Sequence, residues 1–216
     1  MIDRLIHADW PAPVNVVAGT TTRAAAEDVL PPGTRFLNQV HGAAVVTSES
    51  LRDANEPLDA DAVTGSVSGD VCAVRTADCL PVLFCSIEGD SIAAAHAGWR
   101  GLAAGILENT VAAMDYPAGS LIAWFGPAIS QGNFEVGAEV REVFITHDAA
   151  AASCFEQNAR DRWQADLYGL ARQRLYKCGV EAIYGGGWCT YADEDWFFSY
   201  RRAADSDRMV SFVALK

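Results

Sequence analysis

Three side chains in this sequence hold the best prospect of chemistry: His41 in LNQVHG, Cys79 in TADCLP and His96 in AAAHAGWRG. Each ends an apolar, strand-like run, and each has a glycine or proline within two residues. Imidazole nitrogen and thiolate sulfur are donors that suit zinc and its neighbours among the metals. The separations, 38 and then 17 residues, are too wide for a local finger and imply a site assembled by tertiary folding.

The same residues admit plainer readings. His96 could be a core histidine packed beside Trp99. Cys79 and His96 could equally form a nucleophile–base pair that needs no metal. The small residues around His96 let backbone approach whatever lies in front of it. A helix starting after Gly98 would also offer unpaired N–H groups to an anion, with Arg100 at the same point.

Short elements must position these side chains. Residues 15–19, 43–49, 71–75, 80–86 and 91–97 read as strands, the last two joined by the hairpin-type connection Ile87-Glu88-Gly89-Asp90. The spacing of Ile106, Leu107, Val111 and Met114 predicts a helix over 101–114. Residues 121–129 read as a buried strand running into a Gly-Pro turn. Residues 136–145 and 166–178 read as amphipathic helices, with Gly179 where a C-terminal cap belongs, and 181–185 and 208–215 as closing strands. Hairpins with three helices not in strict alternation predict an α+β fold. The expectation is one compact domain over 1–216, with mixed or antiparallel sheets sandwiched with helices.

Composition narrows the partners. Sixteen basic and 28 acidic side chains give the 216 residues a net charge of −12. Such a surface repels phosphate backbones, so neither nucleic acid nor an anionic membrane is expected as a partner. A small anionic substrate would need a local cluster of arginines. No apolar run approaches a membrane span, and MIDRLIHADWPAP lacks the features of a secretion signal, so a cytoplasmic location is expected. The six cysteines then read as free thiols, most of them core.

LNQVHG, VRTADCLPV, AAAHAGWRGLAAGIL, GPAI with FEVG, and FFSYRR occur in this order. From about Asn15 to the C-terminus the sequence resembles the bacterial laccase-domain family, also called polyphenol oxidases, several of whose members are regarded as purine nucleoside phosphorylases. The resemblance implies that His41, Cys79 and His96 bind zinc and that the fold is an α+β sandwich. It also implies purine nucleoside and phosphate as substrates, the nucleoside being adenosine, inosine or methylthioadenosine, with adenosine deamination as a further activity. A monomer or homodimer is expected. Three protein ligands leave a tetrahedral zinc one open position, the mark of a catalytic site.

Asp78, adjoining Cys79, is the first candidate for general acid or base, with Arg75 on the strand before it. An unbroken strand through residue 79 would put Arg75 and Cys79 on one face and turn Asp78 away. Asp78 would then cap a turn or orient a ligand. Arg23, Arg100, Arg201 and Arg202 are candidates for holding phosphate. Asn38 and Gln39 are candidates for orienting His41 or touching substrate, and Trp99 and Phe125 for stacking on a purine.

Multicopper oxidation is excluded by arithmetic. A blue-copper centre would consume His41, Cys79 and His96, leaving only His7 and His147 for every other copper. Copper could still occupy the zinc site, and phenol oxidation would then be incidental. A metal-independent Cys–His hydrolase or deamidase is the alternative reading. The sequence also departs from the family pattern. Only 17 residues lie between Arg23 and His41, where relatives carry a longer insertion, Ser130 follows GPAI, and Ala203-Ala204 follow SYRR. These changes touch the expected pocket wall and not the three ligands.

Overall fold

LPVLFCS and IAAAHA run antiparallel at the centre of the molecule, and every residue of both strands is buried. Both faces of this pair must therefore be covered, which is why neither shows the polar alternation of a half-exposed strand. The computed structural model describes residues 2–25, 27–204 and 207–216.

In chain order, β1 (Leu5–His7) and β2 (Val16–Thr21) precede β3 (Val45–Thr47), α1 (Ser48–Asp53) and β4 (Ala62–Gly65). Next come β5 (Val71–Thr76), β6 (Leu80–Ser86), β7 (Ile92–Ala97), α2 (Trp99–Ala103) and α3 (Ile106–Ala113). β8 (Leu121–Phe125), β9 (Glu135–Val136), α4 (Ala138–His147), β10 (Phe155–Gln157) and β11 (Trp163–Ala165) follow. The chain then runs through α5 (Leu167–Lys177), β12 (Ala182–Gly185) and β13 (Met209–Leu215). No helix among the described residues is long and apolar enough to cross a membrane.

A six-stranded mixed sheet has the order β12-β8-β6-β7-β4-β3, and a four-stranded antiparallel sheet the order β1-β2-β13-β5. Val16, Cys72, Val74 and Val213 of the smaller sheet pack on Leu83, Cys85, Ile92, Ala94 and Trp124 of the larger one. The opposite face of the larger sheet, through Leu80, Val82, Phe84 and Ala93, meets Leu102, Ile106, Phe144 and Leu170 from the helices. The result is the α+β arrangement of mixed and antiparallel sheets with helices that the sequence implies. A small third sheet, β10-β11-β9, adds Val136, Phe155 and Ala165 to the core on the helix side.

Two local expectations differ. The strand expected over 43–49 lasts only from Val45 to Thr47. There Thr47 accepts from the Ser50 N–H at 3.1 Å while its own N–H donates to Ser50 Oγ, a reciprocal cap that starts α1. The single helix expected over 101–114 is two, because Gly105 takes φ of 93° and breaks the hydrogen-bond ladder.

Candidate metal centre

Alternation along β7 aims His96. Ala93, Ala95 and Ala97 face the helices, while Ile92 and Ala94 face the four-stranded sheet, and His96 shares their parity. Leu80 pairs with Ala97, so Cys79 sits across from Gly98, one step beyond the ladder. A Cβ at Gly98 would stand 2.8 Å from Cys79 Sγ and 3.3 Å from His41 Cδ2. At Gly101 it would stand 2.7 Å from the carbonyl oxygen of Gly42. The two glycines after His96 are therefore required by close approach, one to the sulfur and one to the His41 loop.

Asp61, which the sequence reading did not single out, organises both histidines. Its carboxylate accepts the backbone N–H groups of Val40 (3.2 Å), His41 (2.9 Å) and Gly42 (2.6 Å). These contacts hold His41 at φ of 59°, a left-handed conformation costly for a residue with a Cβ. Asp61 Oδ1 also lies 2.8 Å from His96 Nδ1, and its carbonyl accepts the His96 N–H at 2.7 Å. A proton on Nδ1, shared with Asp61, leaves Nε2 as the donor atom for a metal. Burial would push Asp61 up, but His96 and the N–H groups of Gly42 and His41 outweigh it and hold the carboxyl below its usual range. The signal for Asp61 in the sequence was its place beside β4, a strand the sequence reading did not assign.

One ligand atom from each of His41, Cys79 and His96 lies within 4.8 Å of the others, and the imidazole rings meet edge to face. His96 is buried, Cys79 half-buried and His41 exposed, so the cluster opens to one side. Burial alone would push the Cys79 thiol up, yet hydrogen bonds and charge from His41 and His96 bring it down to about 6. Burial likewise opposes charge on His96, while Asp61 and Cys79 raise it to about 9. A thiolate with two imidazoles, one of them oriented by a buried carboxylate, is a donor set that fits zinc or copper.

The cluster opens into a cavity of about 1190 Å³. Arg23, Arg75, Arg100 and Arg208 all line it, as do Asn38 and Gln39. Arg23 donates to the Glu194 carbonyl at 2.6 Å, and Arg100 stacks over Trp99. Asn38 donates to Asp59, and Gln39 bonds both the N–H and the carbonyl of Arg75. Thr76 also lines the cavity, with a buried hydroxyl that has no hydrogen-bond partner among the described residues. Nothing in a β-strand threonine marks it in advance.

Other expected residues are not brought there. Asp78 is buried at φ of 87°, its carboxylate accepting from Thr190 Oγ1 (2.6 Å), Ser199 Oγ (3.1 Å) and the Arg201 N–H (2.6 Å). It points away from the cavity and ties the Cys79 turn to the FFSYRR segment, the turn-holding alternative rather than the acid–base one. Arg201 donates to the Glu135 carbonyl, and Arg202 to the carbonyls of Thr190, Tyr191 and Phe197. Neither lines the cavity, because their forks are spent on closing loops. Phe125 is fully buried against Tyr168, so it cannot stack on a ligand in this cavity.

Residues 9–216 match the family described as multi-copper polyphenol oxidoreductase laccase. A relative from Escherichia coli (strain K12), named purine nucleoside phosphorylase YfiH, is 42% identical over 248 residues, covering 99% of this chain and 100% of its own length. Purine nucleoside phosphorylase PA4543 from Pseudomonas aeruginosa is 43% identical, covering 96% of this chain and 97% of its own length. The crystal structure of Neisseria meningitidis protein NMB0706 is similar with a TM-score of 0.91 at 40% identity, covering 99% of this chain and 100% of that one. YlmD from Geobacillus stearothermophilus shares the fold, with a TM-score of 0.84 at 22% identity over 100% of this chain and 97% of that one. The chain thus belongs to the multi-copper polyphenol oxidoreductase laccase family.

Proposed function

We propose that the His41–Cys79–His96 cluster holds zinc and that the protein is a purine nucleoside phosphorylase. Its substrates are adenosine, inosine or methylthioadenosine with phosphate, and deamination of adenosine is a second reaction in the same cavity. The observation that carries this reading is the cluster's position in a cavity lined by four arginines, in a protein of net charge −12. The names of the E. coli and P. aeruginosa relatives support it.

Zinc held by His41, Cys79 and His96 would supply a Lewis acid at the mouth of the cavity. Arg23 and Arg100 hold the phosphate, since a guanidinium fork suits its oxygens. A phosphate oxygen then bonds to C1′ as the C1′–N9 bond breaks, and the purine leaves with the electron pair and takes up a proton from solvent. Thr76 donates its unpaired hydroxyl proton to a ligand oxygen, and Asn38 and Gln39 hold the cavity wall. Asp78 acts as a positioning residue for Cys79. Copper fits the same donors, and phenol oxidation through it would be incidental.

One observation favours a second reading. Cys79, His96 and Asp61 also form a thiolate–imidazole–carboxylate series, the constellation of a thiol hydrolase or deamidase. Purified protein, with its metal content measured, separates the two when incubated with adenosine in the presence and absence of phosphate. Adenine with ribose 1-phosphate, formed only with phosphate and abolished by a chelator, is the expected result. Inosine alone would leave only the deaminase, and undiminished activity without metal would overturn the metal reading.

A further inference from the structure

A groove of about 660 Å³ runs beside the cavity, between the 35–38 segment and residues 51–57. It shares Phe36, Asn38 and Arg75 with the cavity, so the two concavities meet along those residues. Arg75 stands on the divide, its guanidinium carbon 4.9 Å from the centre of the Phe36 ring. Gln39 clamps the Arg75 backbone from both directions, accepting its N–H at 2.8 Å and donating to its carbonyl at 2.9 Å. Backbone clamp and ring contact together restrict where the fork can go.

Arg35 lines the groove itself. Among the described residues neither Arg35 nor Arg75 makes an ion pair or a side-chain hydrogen bond, whereas Arg4, Arg52, Arg141, Arg160 and Arg174 each pair with a carboxylate. In a chain with 28 acidic side chains, two guanidinium groups on one groove with no carboxylate partner among the described residues are a local reversal of the global field. Glu56 is the acidic residue on the groove wall, so the groove keeps a net positive balance. A phosphate monoester dianion is the small ligand group that two forks suit best.

We infer that the groove is a second anion subsite, taking the 5′-phosphoryl group of a nucleoside 5′-phosphate whose nucleoside lies in the cavity. This rests on the nucleoside reading above and extends it from nucleosides to nucleotides. The phosphoryl group lies across the divide from the Arg23 and Arg100 site, against Arg35 and the groove edge of Arg75.

The test is calorimetric titration of the full-length, metal-loaded protein with adenosine 5′-monophosphate and with adenosine, in the wild type, Arg35→Ala and Arg35→Lys. The nucleotide should bind at least tenfold more tightly than adenosine, with the advantage shrinking as salt rises. Arg35→Ala should remove that advantage while leaving adenosine affinity and adenosine turnover unchanged, and Arg35→Lys should restore part of it. Equal affinity for the two ligands, or an Arg35→Ala effect that is absent or the same for both, would overturn the subsite even if adenosine is cleaved. Arg35-dependent nucleotide binding in a protein that does not cleave adenosine would uphold the subsite and sink the phosphorolysis reading instead.

Discussion

Asp61 Oδ1 lies 2.8 Å from His96 Nδ1, while the same carboxylate gathers the backbone N–H groups of residues 40, 41 and 42. One buried side chain thus sets the ring of one proposed ligand and the backbone of another. Asp61→Asn keeps the size but removes the charge and two acceptor lone pairs. Metal affinity should fall by roughly 10- to 100-fold, and stability by about 2–3 kcal/mol. Zinc titration against a competing chelator, alongside urea denaturation, reads both. Unchanged affinity would mean that the histidines need no such holder.

Gly98→Ala tests the close approach directly. Its Cβ would meet Cys79 Sγ at 2.8 Å, well inside normal contact, so either the sulfur or the β7–α2 turn must yield. Bound metal per chain should drop clearly, with a stability loss of about 1–3 kcal/mol from overpacking. Full metal occupancy in this variant would show that the sulfur has room to spare.

Asp78→Asn separates positioning from proton transfer. Losing charge on a buried carboxylate that accepts three hydrogen bonds should lower stability by about 2–3 kcal/mol. The pH–rate profile of the variant should keep both limbs, because the group faces Thr190, Ser199 and the Arg201 backbone. Disappearance of one limb would restore Asp78 as the acid or base.

Cys79 gives a pH signature in metal-free protein. Its thiol is brought from 9.0 down to about 6 by His41 and His96 against the effect of burial. The thiolate therefore persists as pH falls from 9 to 6 and is lost below that. Alkylation by iodoacetamide, followed by mass spectrometry at Cys79, should rise with a midpoint near 6 and be blocked by added zinc. A midpoint near 9 would contradict the contacts described.

Thr76 carries a buried hydroxyl, in a cavity wall, that has no partner among the described residues. Thr76→Val removes that unsatisfied group at nearly constant volume, so the melting temperature should stay level or rise. KM for the nucleoside or for phosphate should increase at the same time. If both KM values hold and only stability changes, the hydroxyl has no ligand role.

Much of this site was legible in the residues themselves. His41, Cys79 and His96 stood out as donor types at strand ends, their joint role as ligands came from the family resemblance, and the central β6–β7 hairpin showed in its apolar runs and Gly-Asp turn. The α+β class followed from hairpins mixed with non-alternating helices. Asp78 was harder, because φ of 87° breaks the strand alternation on which its direction depended. Arg201 and Arg202 looked like phosphate ligands because a sequence shows a guanidinium but not the carbonyls already bonded to it.

Donor types, charge balance and the glycines that follow His96 are local properties, and the sequence alone determined them. The surroundings of Asp61, Thr76, Arg75 and Arg35 were decided only in three dimensions. Each depends on which hydrogen bonds are made, as for Asp61, or left unmade, as for Thr76, once distant segments close around it, and that count does not exist until the chain has folded.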